Sequence, residues 1–369
     1  MASTIKVDTV TTPDGTGNIT FNRPIVGDGS NLTNIITKSA AEPAADTNPS
    51  GGVGSIWLRT TTGEMYSCTD ATAGSNVWTN IGDGTGRKPY TATVATGGTI
   101  TTYGNFKVHT FSSSGTFTVT TLGTATTIDY LVVAGGGSGG YHYGGGGGAG
   151  GLVYKASNTI TATSYEVVIG AGATEQLSLG TGNIGNDTTF AYSGTLTAKG
   201  GGGGGKETAD ASSGGSGGGS GHEAAGNGSG TQTSQAGDSG TYGFGNDGGQ
   251  GIGATNYNTG GGGGAGSVGA TGDATKSGNG GAGKDYSSIF STSVGDSGWF
   301  ASGGGGGPTS DGTTVAGTAS SGGGTDGSPL SGPSLSGQAN TGGGSGGGYN
   351  NQGARAGGSG VVIIRYQFQ

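Results

Sequence analysis

The chain has 369 residues, of which 95 are glycine, about 26% where roughly 7% is usual, and it carries a net charge of −8 with only 10% charged residues. That balance excludes a basic nucleic-acid surface, and no apolar run approaches the roughly 18 residues of a membrane span. The single cysteine, Cys68, excludes an intrachain disulfide framework and a multi-cysteine metal site.

Residues 1–37 read as short strands: Ile5 and Val7 alternate with Lys6 and Asp8, Ile19 and Phe21 with Thr20 and Asn22, and Pro13-Asp14-Gly15 supplies a turn. Residues 38–50 read as a linker or extended arm. Residues 51–82 read as a small β module, with strands at Ile56-Trp57-Leu58, Met65–Cys68 and Val77–Ile81. Its Trp57, Tyr66 and Trp78 have two readings, a sugar-stacking platform or the core of a module with little else to bury; size favours the core. Residues 83–104 read as a polar connector.

From Asn105 a larger frame begins and runs to residue 369. Phe106, Val108 and Thr110 alternate with Lys107, His109 and Phe111; after Ser113-Ser114-Gly115, Phe117 and Val119 alternate again, which predicts a hairpin. Ile128–Ala134 is an apolar strand running straight into glycine, and Val361–Tyr366 is another running straight out of it. Both are expected in one sheet. Between them recur glycine runs at 135–140, 144–151, 200–205, 214–221, 260–266, 303–307 and 342–348.

Composition alone would place such runs among disordered tracts, but apolar strands such as YLVVA and VVIIRY need burial. A glycine run has only its backbone to hold it in place. In polyproline II geometry, with three residues per turn, its N–H and C=O groups point sideways and can pair with neighbouring helices, and only glycine permits the close approach. No strict G-X-Y period occurs, so collagen is rejected. No amphipathic helix follows any run, so a dinucleotide fingerprint is rejected too. The expected fold is all-β: small N-terminal β modules, then a β-sandwich frame enclosing a bundle of polyglycine II helices.

Certain stretches carry a resemblance. TIKVDTV and GDGSNLTNI resemble N-terminal modules of phage virion proteins, and GSIWLRTTTGEMYSCTD with NVWTNIG resembles a small module of phage fibre and baseplate-associated proteins. NFKVHTFSSSGTFTV, IDYLVVAGGGSGG, GGGGGAGGLV, YEVVIGAGA and GGSGVVIIRY resemble the glycine-rich domain of phage tail-fibre tips and adhesins, over residues 105–367. A related arrangement occurs in anaplastic-lymphoma-kinase-type receptors, although this chain has no kinase or membrane segment. The phage resemblance implies a virion protein whose distal loops bind a bacterial surface glycan or outer-membrane protein. It also implies attachment to other virion proteins through residues 1–37 and, with modules that bury little alone, a homotrimer. The start of the chain shows no apolar signal core, so synthesis in a host cytoplasm and residence in the virion are expected. The competing expectation is a non-catalytic head fibre, decoration protein or baseplate or neck spike.

No catalytic constellation or cofactor motif is legible. His109, His142 and His222 have no metal-ligand spacing, and no Gly-x-Ser-x-Gly lies between a strand and a helix. The candidate recognition residues are the aromatics between glycine runs: Tyr141, His142, Tyr143, Tyr242, Phe244, Tyr257, Trp299 and Tyr349. Tyrosine set among Ser, Gly and Asn couples rigid aromatic area to adaptable hydrogen bonding. The connections at 141–143, 206–213, 242–250, 257 and 349–352 are candidates for the far end of the bundle, although alternate connections must return to the frame.

Overall fold

A computed structural model describes residues 36–47, 52–83, 92–223, 226–232, 243–253, 258–309, 314–330 and 332–368; the strand and attachment expectations for residues 1–35 lie outside them. The chain divides into two compact units, residues 1–89 and 90–369.

In the first unit, β1 (Ile36–Ser39), β2 (Ile56–Arg59), β3 (Glu64–Asp70) and β4 (Val77–Asp83) form a four-stranded sheet in that order, with β1 parallel to β2 and the other pairs antiparallel. Residues 36–47 are therefore part of the module, not a linker. Trp57 donates its indole N–H to the Ala41 carbonyl at 3.0 Å and Trp78 donates to Thr47 at 3.2 Å. Arg59 bridges Glu42 and Glu64, both at 2.8 Å. The two indole rings meet edge-on, 5.8 Å apart at 66°, and Tyr66 is buried. The two indoles hold the arm through their N–H groups and stay half-buried, while Tyr66 beside them is buried.

The second unit opens with β5 (Val94–Thr96) and β6 (Thr99–Tyr103), inside the stretch read as a connector. There follow β7 (Phe106–Phe111), β8 (Gly115–Thr121), β9 (Thr127–Val133), β10 (Leu152–Thr159), β11 (Ser164–Val168), β12 (Thr188–Phe190) and β13 (Leu196–Ala198). After these come β14 (Gly243–Phe244), β15 (Lys284–Asp285), the one-turn helix α1 (Ser287–Phe290), β16 (Trp299–Phe300) and β17 (Val361–Gln367). Six strands order as β14-β10-β9-β17-β7-β6 and five as β13-β12-β11-β8-β5. Tyr130, Val132, Val362, Ile364 and Phe111 of one sheet meet Phe117, Val119, Val167 and Phe190 of the other in one apolar core. The fold is thus an all-β sandwich with a glycine bundle built on it.

β9 and β17 are antiparallel neighbours, Val133 opposite Val361 and Asp129 opposite Arg365, as their shared apolarity predicts. The hairpin expected from 106–120 does not form. β7 pairs with β17 and β6 while β8 pairs with β11 and β5, so Ser112–Ser114 cross between the sheets. Alternation marks two half-buried strands but not their partners, and Phe111 and Phe117 fill the same core from opposite sides.

The run 144–151 shows how the glycines are held. Gly144, Gly147 and Gly150 donate to Gly348, Ser345 and Gly342; Gly145, Gly148 and Gly151 donate to Gly205, Gly202 and Lys199; Gly146 and Ala149 donate to Gly260 and Gly263. Carbonyls of the same run accept from Gly304 and Gly307, from Ala134, Gly137 and Gly140, and from Ser216 and Gly219. Every third residue meets the same neighbour, which is the three-residue turn of polyglycine II. Three neighbours accept from its N–H groups and three donate to its carbonyls, so one run sits within six. A Cβ on Gly147 would fall on the Gly137 carbonyl and one on Gly262 on the Gly147 carbonyl, so a side chain at either position is incompatible with this spacing.

Candidate functional site

Polarity follows from the hydrogen-bond register. β9 feeds residues 134–140 away from the sandwich, and 144–151 return to β10, so residues 141–143 lie at the far end of the bundle. Runs 199–205 and 342–348 also lead outward, the first from β13. Their far connections, at 206–210 and 349–352, meet 141–143. Glu207 N–H donates to His142 at 3.2 Å, His142 N–H to Gln352 at 3.4 Å, and Tyr141 hydroxyl to the Asn351 carbonyl at 3.0 Å. The run ending at His222 reaches the same place, since Glu223 N–H donates to the Glu207 carbonyl at 2.8 Å.

Here the rings converge. His142 lies tilted on Tyr143 with centroids 4.3 Å apart, His222 meets Tyr143 edge-on at 5.4 Å, Tyr349 does so at 6.4 Å, and Tyr141 lies 6.2 Å from His142. Each histidine faces a carboxylate: His142 Nδ1 is 3.6 Å from Glu207 Oε2, and His222 Nε2 is 3.4 Å from Glu223 Oε1. His222 is buried, and burial holds its pKa below the ordinary histidine value against the pull of Glu223 and Glu207, with His142 adding to the lowering.

His142 and Tyr143 have φ of 54° and 49°, and Asn351 has 54°. This left-handed region disfavours bulky L-residues and costs glycine nothing. A chain with 95 glycines nevertheless places histidine and tyrosine there consecutively.

The other candidates divide. Tyr242 and Tyr257 lie outside the described residues. Phe244 belongs to β14, paired with Leu152 at the sandwich end of the bundle, with the Lys284 ammonium 4.0 Å over its ring. Trp299 belongs to β16, paired with Asp285, also at that end. Neither joins the distal cluster, because both fall on segments at the sandwich end. Buried Phe300 packs with Phe290, Leu131 and Ile363, so this excursion is a satellite core over the outer face of the six-stranded sheet. Missed by sequence reasoning were His222 and Glu223, which interrupt a glycine run at 222; runs 200–205 and 214–221 both lead outward, so alternation of glycine runs would have misplaced them.

Among the described residues, no group of three or more His, Cys, Asp or Glu is arranged to hold a metal ion. No helix among them is long and apolar enough to cross a membrane.

A search of curated proteins finds no match to this chain. A family description, the glycine-rich domain, matches residues 111–367, from the last residue of β7 to the last of β17. That span takes in the paired strands β9 and β17 and every run of the bundle between them, and the chain belongs to the glycine-rich domain family.

Proposed function

We propose that this protein is a non-catalytic attachment protein of a bacteriophage particle, a tail fibre or tail-tip adhesin whose glycine bundle carries a receptor-binding tip away from its sandwich. The observation that carries the reading is the presence of His142 and Tyr143 at two consecutive left-handed positions in the far cluster, where glycine would be relaxed. Strain held in place by surrounding contacts is a mark of a functional surface. The tip offers tyrosine area beside amide and carboxylate groups, the composition of a recognition surface. The bundle behind it is cross-linked by lateral backbone bonds along several runs, which makes a stiff support. The sequence resemblance to phage adhesins points the same way.

Purified protein added to host cells should compete with the particle that carries it and slow adsorption. Replacing Tyr143 and Tyr349 by alanine should abolish the competition while particles still assemble. Unchanged adsorption by particles bearing the altered tip would mean a structural knob, such as a head fibre or baseplate spike, and would end the receptor-binding reading.

A further inference from the structure

The chemistry of the tip narrows the kind of group it takes; this inference rests on the reading of the tip as a recognition surface. Tyr141, Tyr143 and Tyr349 are each partly exposed and set within one cluster with His142 and His222. Tyrosine faces attract cations and accept the apolar CH faces of a pyranose ring. The charged residues of the 206–210 and 222–223 connections are one cation, Lys206, and three carboxylates, Glu207, Asp210 and Glu223. Arg355 is engaged by Glu175 at 3.1 Å, so it is not free for an anionic ligand. Glu207 and Glu223 stay accessible, their side chains 35% and 47% exposed, and each faces a histidine, His142 and His222 respectively. Asn350, Asn351 and Gln352 add amides beside the rings, suited to sugar hydroxyls.

We propose that the tip selects a cationic amino sugar, the pyranose ring lying on tyrosine and the ammonium group held by Glu207 and Glu223. A neutral sugar would leave the carboxylates without an ionic partner, and a bare lysine chain would leave the ring faces without a flat partner. Proton linkage follows from the groups that face one another here, His142, His222, Glu207 and Glu223 around Tyr143, with Lys206 and Asp210 in the adjoining connection. Protonated histidines would compete for the same carboxylates.

Titration calorimetry of the full chain with glucosamine oligomers and with their fully N-acetylated counterparts tests this, because the two differ in charge and not in ring. The amine form should bind, and the acetylated form should bind at least about tenfold more weakly. Joint replacement Glu207→Gln and Glu223→Gln, with thermal unfolding as the control for folding, should remove that preference. Binding of the amine form should weaken as pH falls below the ordinary histidine value of about 6.5 and His222, whose pKa burial lowers, takes up its proton beside Glu223. Equal binding of the two oligomers overturns the proposal. Equal binding of a lysine oligomer, unaffected by Tyr349→Leu, overturns it in favour of a protein partner. If no oligomer binds but tip variants still abolish adsorption, the amino-sugar proposal fails alone; if adsorption is also insensitive to the tip, both readings fail.

Discussion

At the scale of single residues, side-chain volume decides what the bundle tolerates. A Cβ at Gly203 would fall on the Gly182 carbonyl, and one at Gly262 on the Gly147 carbonyl. Gly203→Val and Gly262→Val should each cost about 2–4 kcal/mol, from overpacking and lost lateral hydrogen bonds, measured by urea unfolding. Ser212 and Ser229, outside the glycine runs, are still bonded to them: Ser212 donates its N–H to Gly203, and Ser229 accepts at its carbonyl from Gly214. Ser229 is exposed, so Ser229→Val should change stability by less than about 0.5 kcal/mol. Equal tolerance at Gly203, Gly262 and Ser229 would mean that the runs are loosely packed. At the tip the balance reverses. His142→Gly should leave stability within about 1 kcal/mol of the parent, since relief of the left-handed φ offsets the lost ring contact. Adsorption should nevertheless fall; full adsorption by this variant would remove His142 from the recognition surface.

At the scale of elements, the sandwich anchors the bundle through the β9–β17 pair. Arg365 on β17 donates to Asp129 on β9 at 2.7 Å and lies over the Phe106 ring at 4.3 Å, and its guanidinium also donates to the Ile289 carbonyl of α1. Both side chains are largely buried, so Asp129→Ala leaves a guanidinium short of its counter-charge and should cost about 3 kcal/mol. Between the sheets, β7 contributes His109, fully buried, with Nδ1 2.8 Å from the Gly97 carbonyl and its ring edge-on to Phe117. Burial lowers its pKa, and Lys107 lowers it further, against the raising effect of Gly97. The unfolded chain therefore binds a proton at a pH where the folded chain does not. The stabilisation is complete above the ordinary histidine value of about 6.5 and is lost as pH falls below it toward the folded-state value, by at most about 1.4 kcal/mol per pH unit. His222 at the tip adds to the same slope. Urea midpoints of His109→Asn should depend less on pH across this range than those of the parent; an unchanged slope would place the proton uptake elsewhere.

At the scale of the whole molecule, the bundle joins residues far apart in sequence: Gly147 donates to Ser345 and accepts from Gly304. The run 144–151 takes partners both from the run just before it, 134–140, and from runs more than 100 residues away, so the runs should unfold together. Hydrogen exchange should protect the amides of Gly147, Gly202, Gly344 and Gly346 to a similar degree, and widely staggered protection would mean separate folding units. The homotrimer expected from the thin N-terminal modules remains part of the proposed virion role. Native mass measurement should find three chains, and a stable monomer would sink that expectation.

The order of residues by itself determined which strands bracket the bundle. Ile128–Ala134 and Val361–Tyr366 are apolar on both faces, a pattern that requires a covered central position, and they pair as neighbours. It also determined that the glycine runs pack as polyglycine II, because only backbone bonds can hold residues without side chains. Tertiary structure alone decided which neighbours each run has. A glycine run carries no side-chain pattern to specify a partner, so contacts such as Gly147 with Gly304 depend on the whole lattice. The same holds for the direction of each connection, which placed Tyr141, His142, Tyr143 and Tyr349 together at the far end and sent Phe244 and Trp299 to the sandwich. It holds also for Ser112–Ser114, where alternation showed two half-buried strands and only the facing sheets decided that they would not pair.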